Sequence, residues 1–301
     1  MRKYIGWEAL KLLALVLHAI YGQIYPKYSK HGQRKMTIPQ KMTIITIAKA
    51  LGYTYREMET LARELREVLG IKRVTTFQNL HTFAKKIKPR EIQDIIEAVT
   101  IIILKNRTRE LGVLIDSTGF QIMDATSYYN YRAQRAADFF KLHVVMDEEM
   151  RVIILATPSD RYCHDSEPFW SYFLPELERL SKVFGFRIRY VSADSAYASN
   201  KAYREVRKRL NAIPGIKPCR RRGVPRRGLM AAYWTMRGLP WFRRYSNARW
   251  VLEAMFKVFK RLFGCYVRGR SWLSRCLELL FKVLAWNVLI LLGTLWRSLT
   301  G

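Results

Sequence analysis

Three acids in this strongly basic chain have the types and positions to do phosphodiester chemistry. Asp116 ends the apolar run Leu111-Gly-Val-Leu-Ile-Asp-Ser-Thr, and Asp194 ends a second, Ile188-Arg-Tyr-Val-Ser-Ala-Asp-Ser. Glu253 lies on an amphipathic stretch among Arg249, Lys257 and Lys260. Carboxylate oxygens suit hard cations such as Mg²⁺, which takes one or two carboxylates plus water and substrate phosphate. Two such ions about 3.5–4 Å apart activate an attacking oxygen and stabilise the leaving one. Each acid also has an ordinary explanation. Asp116 before Ser-Thr-Gly is a turn-former. Asp194 before Ser195 can cap the next helix. Glu253 can pair with Arg249 and Lys257 at i,i+4 spacing.

The acids are useful together only if strands and a helix bring them to one place. The segments Leu111–Ile115, Leu142–Met146, Arg151–Thr157 and Arg187–Val191 are apolar and rich in β-formers. Asp147-Glu-Glu-Met separates the second from the third and reads as a hairpin turn. Helices are expected from Ser166 to about Phe184 and from Ser199 to Leu210, with a short strand at Ala212–Ile216. A mixed sheet with helices on its faces is the natural packing. Adjacent strands would then carry Asp116 and Asp194 at their ends, and a helix laid across them would add Glu253.

Residues 1 to about 105 read as helical instead. Apolar residues recur at helical spacing from Trp7 to Leu17. A second helix is expected from Lys41 to Leu51, stopping at Gly52. Thr54-Tyr-Arg-Glu is a capping box that opens a third, which runs toward Gly70. A fourth starts near Thr75 or Thr76, and Pro89 opens a fifth, from Glu91 to Leu104. Short helices joined by Gly52 and Gly70 fit a helix-turn-helix, with Thr75–Lys88 as the reading element and Thr75, Thr76, Gln78, Asn79, His81, Lys85 and Lys86 toward DNA. A plain helical bundle with a solvated polar face is the competing reading, since many bundles share the same short loops.

Composition narrows the partners. The 301 residues are half hydrophobic and 13% aromatic, enough for a real core, and carry a formal net charge of +29. An excess of that size points to nucleic acid, through counterion release from phosphates. The longest apolar run near the C-terminus, Val283 to Trp296, is about 14 residues, short of the ~18–20 needed to span a membrane. No membrane partner is expected. The four cysteines, Cys163, Cys219, Cys265 and Cys276, have no CxxC spacing and suggest neither zinc nor a disulfide framework.

Residues 217–245 break the pattern. Lys217, Arg220, Arg221, Arg222, Arg226 and Arg227 crowd among Pro214, Pro218 and Pro225, which reads as a phosphate-gripping loop or small insertion. Trp234, Trp241, Trp250 and Trp272 interleave with arginines; core packing is expected for most, and stacking on unpaired bases for any that are exposed. His164-Asp165 reads as a cap or turn, and His143 as a packed or hydrogen-bonded strand residue.

Three segments together resemble the DDE transposases of bacterial and archaeal insertion sequences. They are Val113-Leu-Ile-Asp-Ser-Thr-Gly, Val191-Ser-Ala-Asp-Ser-Ala-Tyr, and Tyr245 to Lys260. One branch of that family carries Tyr, two residues, Arg, three residues, Glu, six residues, Lys. Arg249, Glu253 and Lys260 match the spacing; Ser246 holds the tyrosine's place, with Tyr245 one residue early. Lys141-Leu-His and Tyr266-Val-Arg-Gly-Arg-Ser-Trp add to the likeness. The resemblance implies an α/β, RNase H-like catalytic domain over 106–301, with a basic insertion near 217–245 and a C-terminal helix, after an all-helical region at 1–105. It implies that Asp116, Asp194 and Glu253 bind two Mg²⁺ or Mn²⁺ ions, with Arg249, Lys257, Lys260, Arg220, Arg221 and Arg222 on DNA. Metal-dependent 3′-end cleavage at transposon ends, and strand transfer into target DNA, would follow. The assembly would be a dimer or larger, cytoplasmic and nucleoid-associated. A metal nuclease on the same fold that cleaves without joining, and a silent DNA-binding descendant, are the alternatives.

Overall fold

The computed structural model describes residues 6–25, 36–105, 110–123, 138–218 and 228–300. In chain order the elements are α1 (Trp7–Ile24), α2 (Ile38–Ala50), α3 (Tyr55–Glu64), α4 (Phe77–Ala84), α5 (Pro89–Lys105), β1 (Glu110–Ile122), β2 (Phe139–Asp147), β3 (Ile153–Asp160), α6 (Leu174–Phe184), β4 (Arg187–Ala193), α7 (Asn200–Leu210), β5 (Ile213–Ile216), α8 (Gly228–Met236), α9 (Pro240–Asn247), α10 (Arg249–Phe263), β6 (Tyr266–Val267) and α11 (Trp272–Thr300). A short helix, Ser166–Pro168, and a π-helical turn, Phe169–Phe173, lead into α6. The chain divides into two compact units that do not follow chain order. One comprises Met1–Val99, Gln121–Asp138 and Phe259–Gly301; the other comprises Thr100–Phe120 and Phe139–Val258.

The first unit is mainly helical. Its α3 begins as the capping box requires: Glu57 Oε2 accepts the Thr54 N–H at 2.6 Å, and Thr54 Oγ1 accepts the Glu57 N–H at 3.3 Å. A second capping box, Thr37 with Gln40, starts α2 at Ile38 rather than at Lys41. Almost every residue of α2 is buried. It packs against α1 and α11, which explains its lack of a polar face. Thr75 is buried ahead of α4, so it is not available to read DNA, whereas Thr76, Gln78 and Asn79 are exposed.

The last helix, α11, is longer and more apolar than the run Val283–Trp296 suggests. From Trp272 to Trp296 it meets the length and hydropathy of a membrane span, and 78% of its most apolar stretch is buried inside the protein. Lys282, which marks the start of the shorter run, does not reach solvent. Its ammonium lies 3.6 Å from the Glu278 carboxylate, with both side chains essentially inaccessible. It also donates to the Tyr266 carbonyl at 2.6 Å. A neutralised buried pair lets the helix continue through apolar surroundings.

The second unit holds the sheet. Its order is β3-β2-β1-β4-β5; β2 and β3 are antiparallel, while β1, β4 and β5 are parallel. The fold is the expected RNase H-like mixed sheet flanked by helices. The hairpin turn falls at residues 148–150, as anticipated. Residues 217–245 differ from expectation. The described part beyond 227 forms α8 and α9, not a loop. Pro240 sits in the first turn of α9, where its missing N–H costs nothing. Tyr233 of α8 stacks on Tyr203 of α7 at 4.5 Å, and α9 packs on β4 and β5. Gly215 permits that approach, since a Cβ there would stand 3.0 Å from the Tyr245 backbone. Tyr245 itself packs against the Tyr190 ring at 4.6 Å. The cluster Arg220, Arg221 and Arg222 lies outside the described residues.

Candidate active site

Strand pairing brings the first two acids together. Leu111 of β1 pairs with Ile188 of β4, but the next residue, Gly112, pairs with Tyr190, so Arg189 is an extra residue on β4. From there the register runs to Ile115 opposite Ala193, where β4 ends. The next residues are Asp116, still inside β1, and Asp194, just past the end of β4. Side chains alternate across a sheet, and a one-residue slip would send the two carboxylates to opposite faces. The bulge therefore puts both on one face.

Asp194 caps the short turn Ser195–Tyr197, as its ordinary role has it, whereas Asp116 forms no turn and lies inside β1. Asp116 Oδ1 accepts the Ser117 N–H at 2.8 Å, and Asp194 Oδ1 accepts the Ser195 N–H at 2.7 Å. Each carboxylate spends one oxygen on the N–H of the residue that follows it. The other oxygens, Asp116 Oδ2 and Asp194 Oδ2, lie 3.5 and 3.3 Å from the same nitrogen, Arg249 Nη1. Arg249 Nη2 donates to Glu253 Oε1 at 2.5 Å, one turn along α10. One guanidinium thus gathers all three acids. Glu253 pairs with Arg249 and not with Lys257, which is exposed. The buried face of α10 is the expected one, Leu252, Met255, Phe256, Phe259 and Phe263. Lys260 follows on the same helix, half-buried, and burial lowers its pKa.

Burial is the largest influence on Asp116 and pushes its carboxyl up to about 6. The Ser117 N–H and the Arg249 guanidinium pull the other way, while Asp194 and Asp165 push up again. The group ionises reluctantly and welcomes positive charge. Behind it lies Tyr197, three residues past Asp194. Its hydroxyl is buried without a hydrogen-bond partner among the described residues, and its pKa is well raised, chiefly by burial and then by Asp165, Asp116 and Asp194.

Asp165 is not a cap. Its side chain makes no capping bond to the helix that follows. Instead Oδ1 accepts from Ser117 Oγ at 3.0 Å and from Lys141 Nζ at 3.1 Å. Asp165 and Lys141 therefore brace the segment that carries Asp116, a link the sequence reading missed. The available signal was a lysine within an apolar strand, which needs a counter-charge. His143 behaves as expected: it is fully buried, bonded to Ser159 Oγ at 2.8 Å, and held down to about 4 chiefly by burial. Of the four tryptophans weighed for stacking, only Trp234 is buried; Trp241, Trp250 and Trp272 are exposed, against the expectation of core packing.

Three acids met by one cation fit divalent metal by donor type. Among the described residues no group of three or more His, Cys, Asp and Glu is placed to hold a metal ion, so the fit rests on donor type alone. The guanidinium marks where positive charge is stabilised.

A mixed sheet of this order, with one acid inside β1 rather than at its end, one just past β4 and a third on a later helix, fits an RNase H-like fold. The transposase DDE domain family matches residues 107–288, and the chain belongs to that family. Among solved structures, one match is the piggyBac transposase synaptic complex with hairpin DNA, at 8% identity and a TM-score of 0.39, over 96% of this chain and 73% of that one. No curated protein matches the chain.

Proposed function

We propose that this transposase cleaves the 3′ ends of its own element in a metal-dependent reaction and joins them to target DNA. The observation that carries the reading is the convergence of Asp116, Asp194 and Glu253 on the Arg249 guanidinium. The spacing of Arg249, Glu253 and Lys260 supports the insertion-sequence branch. Asp116, Asp194 and Glu253 would hold two Mg²⁺ or Mn²⁺ ions. When bound, the ions supply an activated attacking oxygen and a stabilised leaving oxygen for in-line displacement at phosphorus.

The chain's own residues do the rest. Ser117 and Ser195 N–H groups fix one oxygen of each aspartate, leaving the other for cation. Arg249 neutralises the three acids and, were they to hold metal, would be free to meet a DNA phosphate. Lys257, Lys260 and Arg220 to Arg222 would grip the backbone, and exposed Trp250 offers a face for an unpaired base. A net charge of +29 supports DNA as the partner. The joining of two element ends calls for a dimer or larger assembly on nucleoid DNA in the cytoplasm.

The test uses the full chain, Mn²⁺ and labelled DNA carrying the inverted repeats that flank its gene. We expect 3′-end cleavage and strand transfer, both lost in Asp116→Ala, Asp194→Ala and Glu253→Ala. Activity retained in any one of them removes that acid from the site. Cleavage without joining would make the protein a nuclease; salt-sensitive binding without cleavage would make it a silent descendant.

A further inference from the structure

The helical unit contains a cavity of about 540 Å³, wholly within that unit. Its floor and one wall come from α2, α3 and α4, through Lys49, Tyr55, His81 and Lys85. The other wall is Arg268–Ser271 and the first turns of α11. None of the described lining residues is acidic. Lys85, Arg268 and Arg270 are exposed at the rim. Lys49 is more enclosed, with its ammonium 4.5 Å from the Tyr55 ring centre. Tyr55 and His81 meet edge to face at 4.7 Å and make an aromatic wall. Leu273, Leu277 and Phe281 complete an apolar side.

The loop over this cavity is rigidly built. Buried Glu278 accepts N–H bonds from Arg268 at 3.0 Å and from Gly269 at 3.1 Å. Gly269 lies so close to α11 that a Cβ would stand 2.6 Å from the Arg275 nitrogen. Arg275 Nε in turn donates to the Gly269 carbonyl at 2.8 Å. The Glu278 carboxylate is bonded within the loop and lies beside Lys282, and its charge also reaches Lys49. Glu57, outside the described lining, acts on Arg268, while Lys85 and Arg270 stand at the exposed rim.

From this juxtaposition of a cationic rim, an aromatic wall and room for a nucleotide, we infer that the cavity binds one unpaired nucleotide of a DNA strand. The phosphate would lie among Lys85, Arg268 and Arg270, and the base against Tyr55 and His81. Base–aromatic stacking and backbone cations are the two ingredients of single-strand binding. The choice of DNA over a free nucleotide rests on the proposed function and on an open rim that lets a strand enter and leave.

The experiment measures anisotropy of two labelled duplexes with the full chain, one blunt and one with a short single-stranded tail. The wild type should prefer the tailed duplex. Lys85→Glu and Arg270→Glu, both at exposed positions, should each weaken tailed binding about tenfold and erase the preference, with a shallower salt dependence. Lys85→Arg should restore it. 5-Iodouracil in the tail should cross-link to Tyr55 or His81. Equal binding of the two duplexes by the wild type, or cross-links only elsewhere, would overturn the assignment. Displacement of the tail by micromolar dTMP would overturn it too, in favour of a free nucleotide. Binding needs no cleavage, so the two readings fail separately: Asp116→Asn should lose cleavage and keep the tail preference. Cleavage surviving Asp116→Asn would sink the catalytic reading and leave the cavity's intact.

Discussion

The Tyr190 ring fills the space where a side chain on Gly112 would stand. A Cβ at Gly112 would lie 2.6 Å from the Tyr190 hydroxyl oxygen and 2.9 Å from its ring edge. Tyr190 is held there by a hydrogen bond to Glu148 and by Tyr245, and the Gly112 carbonyl accepts the Glu148 N–H at 2.8 Å. This contact sits at the β1–β4 bulge, the irregularity that aligns Asp116 with Asp194.

Gly112→Ala should therefore damage the site from a distance. Overpacking of this kind costs about 1–3 kcal/mol. Urea unfolding should show that loss, and Mn²⁺-dependent cleavage should fall more than stability alone explains. A variant that cleaves normally would show that the register does not depend on this contact.

Removal of Arg249 strands three carboxylates near one another. Arg249→Ala should lower the metal-free melting temperature by about 2–4 °C, for a loss on the order of 1 kcal/mol. Mn²⁺ should raise the variant's melting temperature more than the wild type's, because metal then relieves a larger repulsion. Equal shifts in the two proteins would mean that the guanidinium does not stand in for metal.

Asp147, fully buried at the β2 end, gives a pH signature away from the acids. Burial is the main cause of its rise to about 6, and Glu149 and Glu148 add to it; the Met150 and Glu149 N–H groups oppose it. A folded-state pKa above the unfolded value of 3.8 means that the folded protein favours the protonated form. The cost is absent below the unfolded pKa, grows as pH rises, and is complete above about 6. Asp147→Asn should melt higher than wild type at pH 7.5, and the difference should vanish near pH 3.5. A pH-independent difference would locate the effect in packing.

The Glu278–Lys282 pair inside α11 makes a further test. Lys282→Met leaves a buried carboxylate with only backbone partners and should cost roughly 3–5 kcal/mol, since breaking one side of a buried pair is worse than never having it. Glu278→Leu combined with Lys282→Met should cost less than Lys282→Met alone. Calorimetry of the variants decides, and a double variant weaker than the single would show that the pair itself stabilises the helix.

Local signals were legible in the sequence because their causes are local. The Thr54–Glu57 capping box, the apolar runs ending at Asp116 and Asp194, and the Phe-rich face of α10 all depend on residues within a few positions. The order of strand, strand and helix was enough to suggest that the acids meet. The helices α8 and α9 were obscured because nearby Pro and Arg dominate the composition, while stacking of Tyr233 on Tyr203 is a long-range contact.

What only the tertiary structure decided is how charges find each other. Sequence put Arg249 and Glu253 one turn apart; folding added Asp116 and Asp194 to the same guanidinium. It turned Asp165 from an apparent cap into a partner of Lys141 and Ser117, and hid Lys282 against Glu278. It grouped α11 with the N-terminal helices, and so made the cavity between Lys49 and Arg270. Hydrophobic periodicity records which face of an element is buried. It does not record the partner, and electrostatic chemistry depends on the partner's distance.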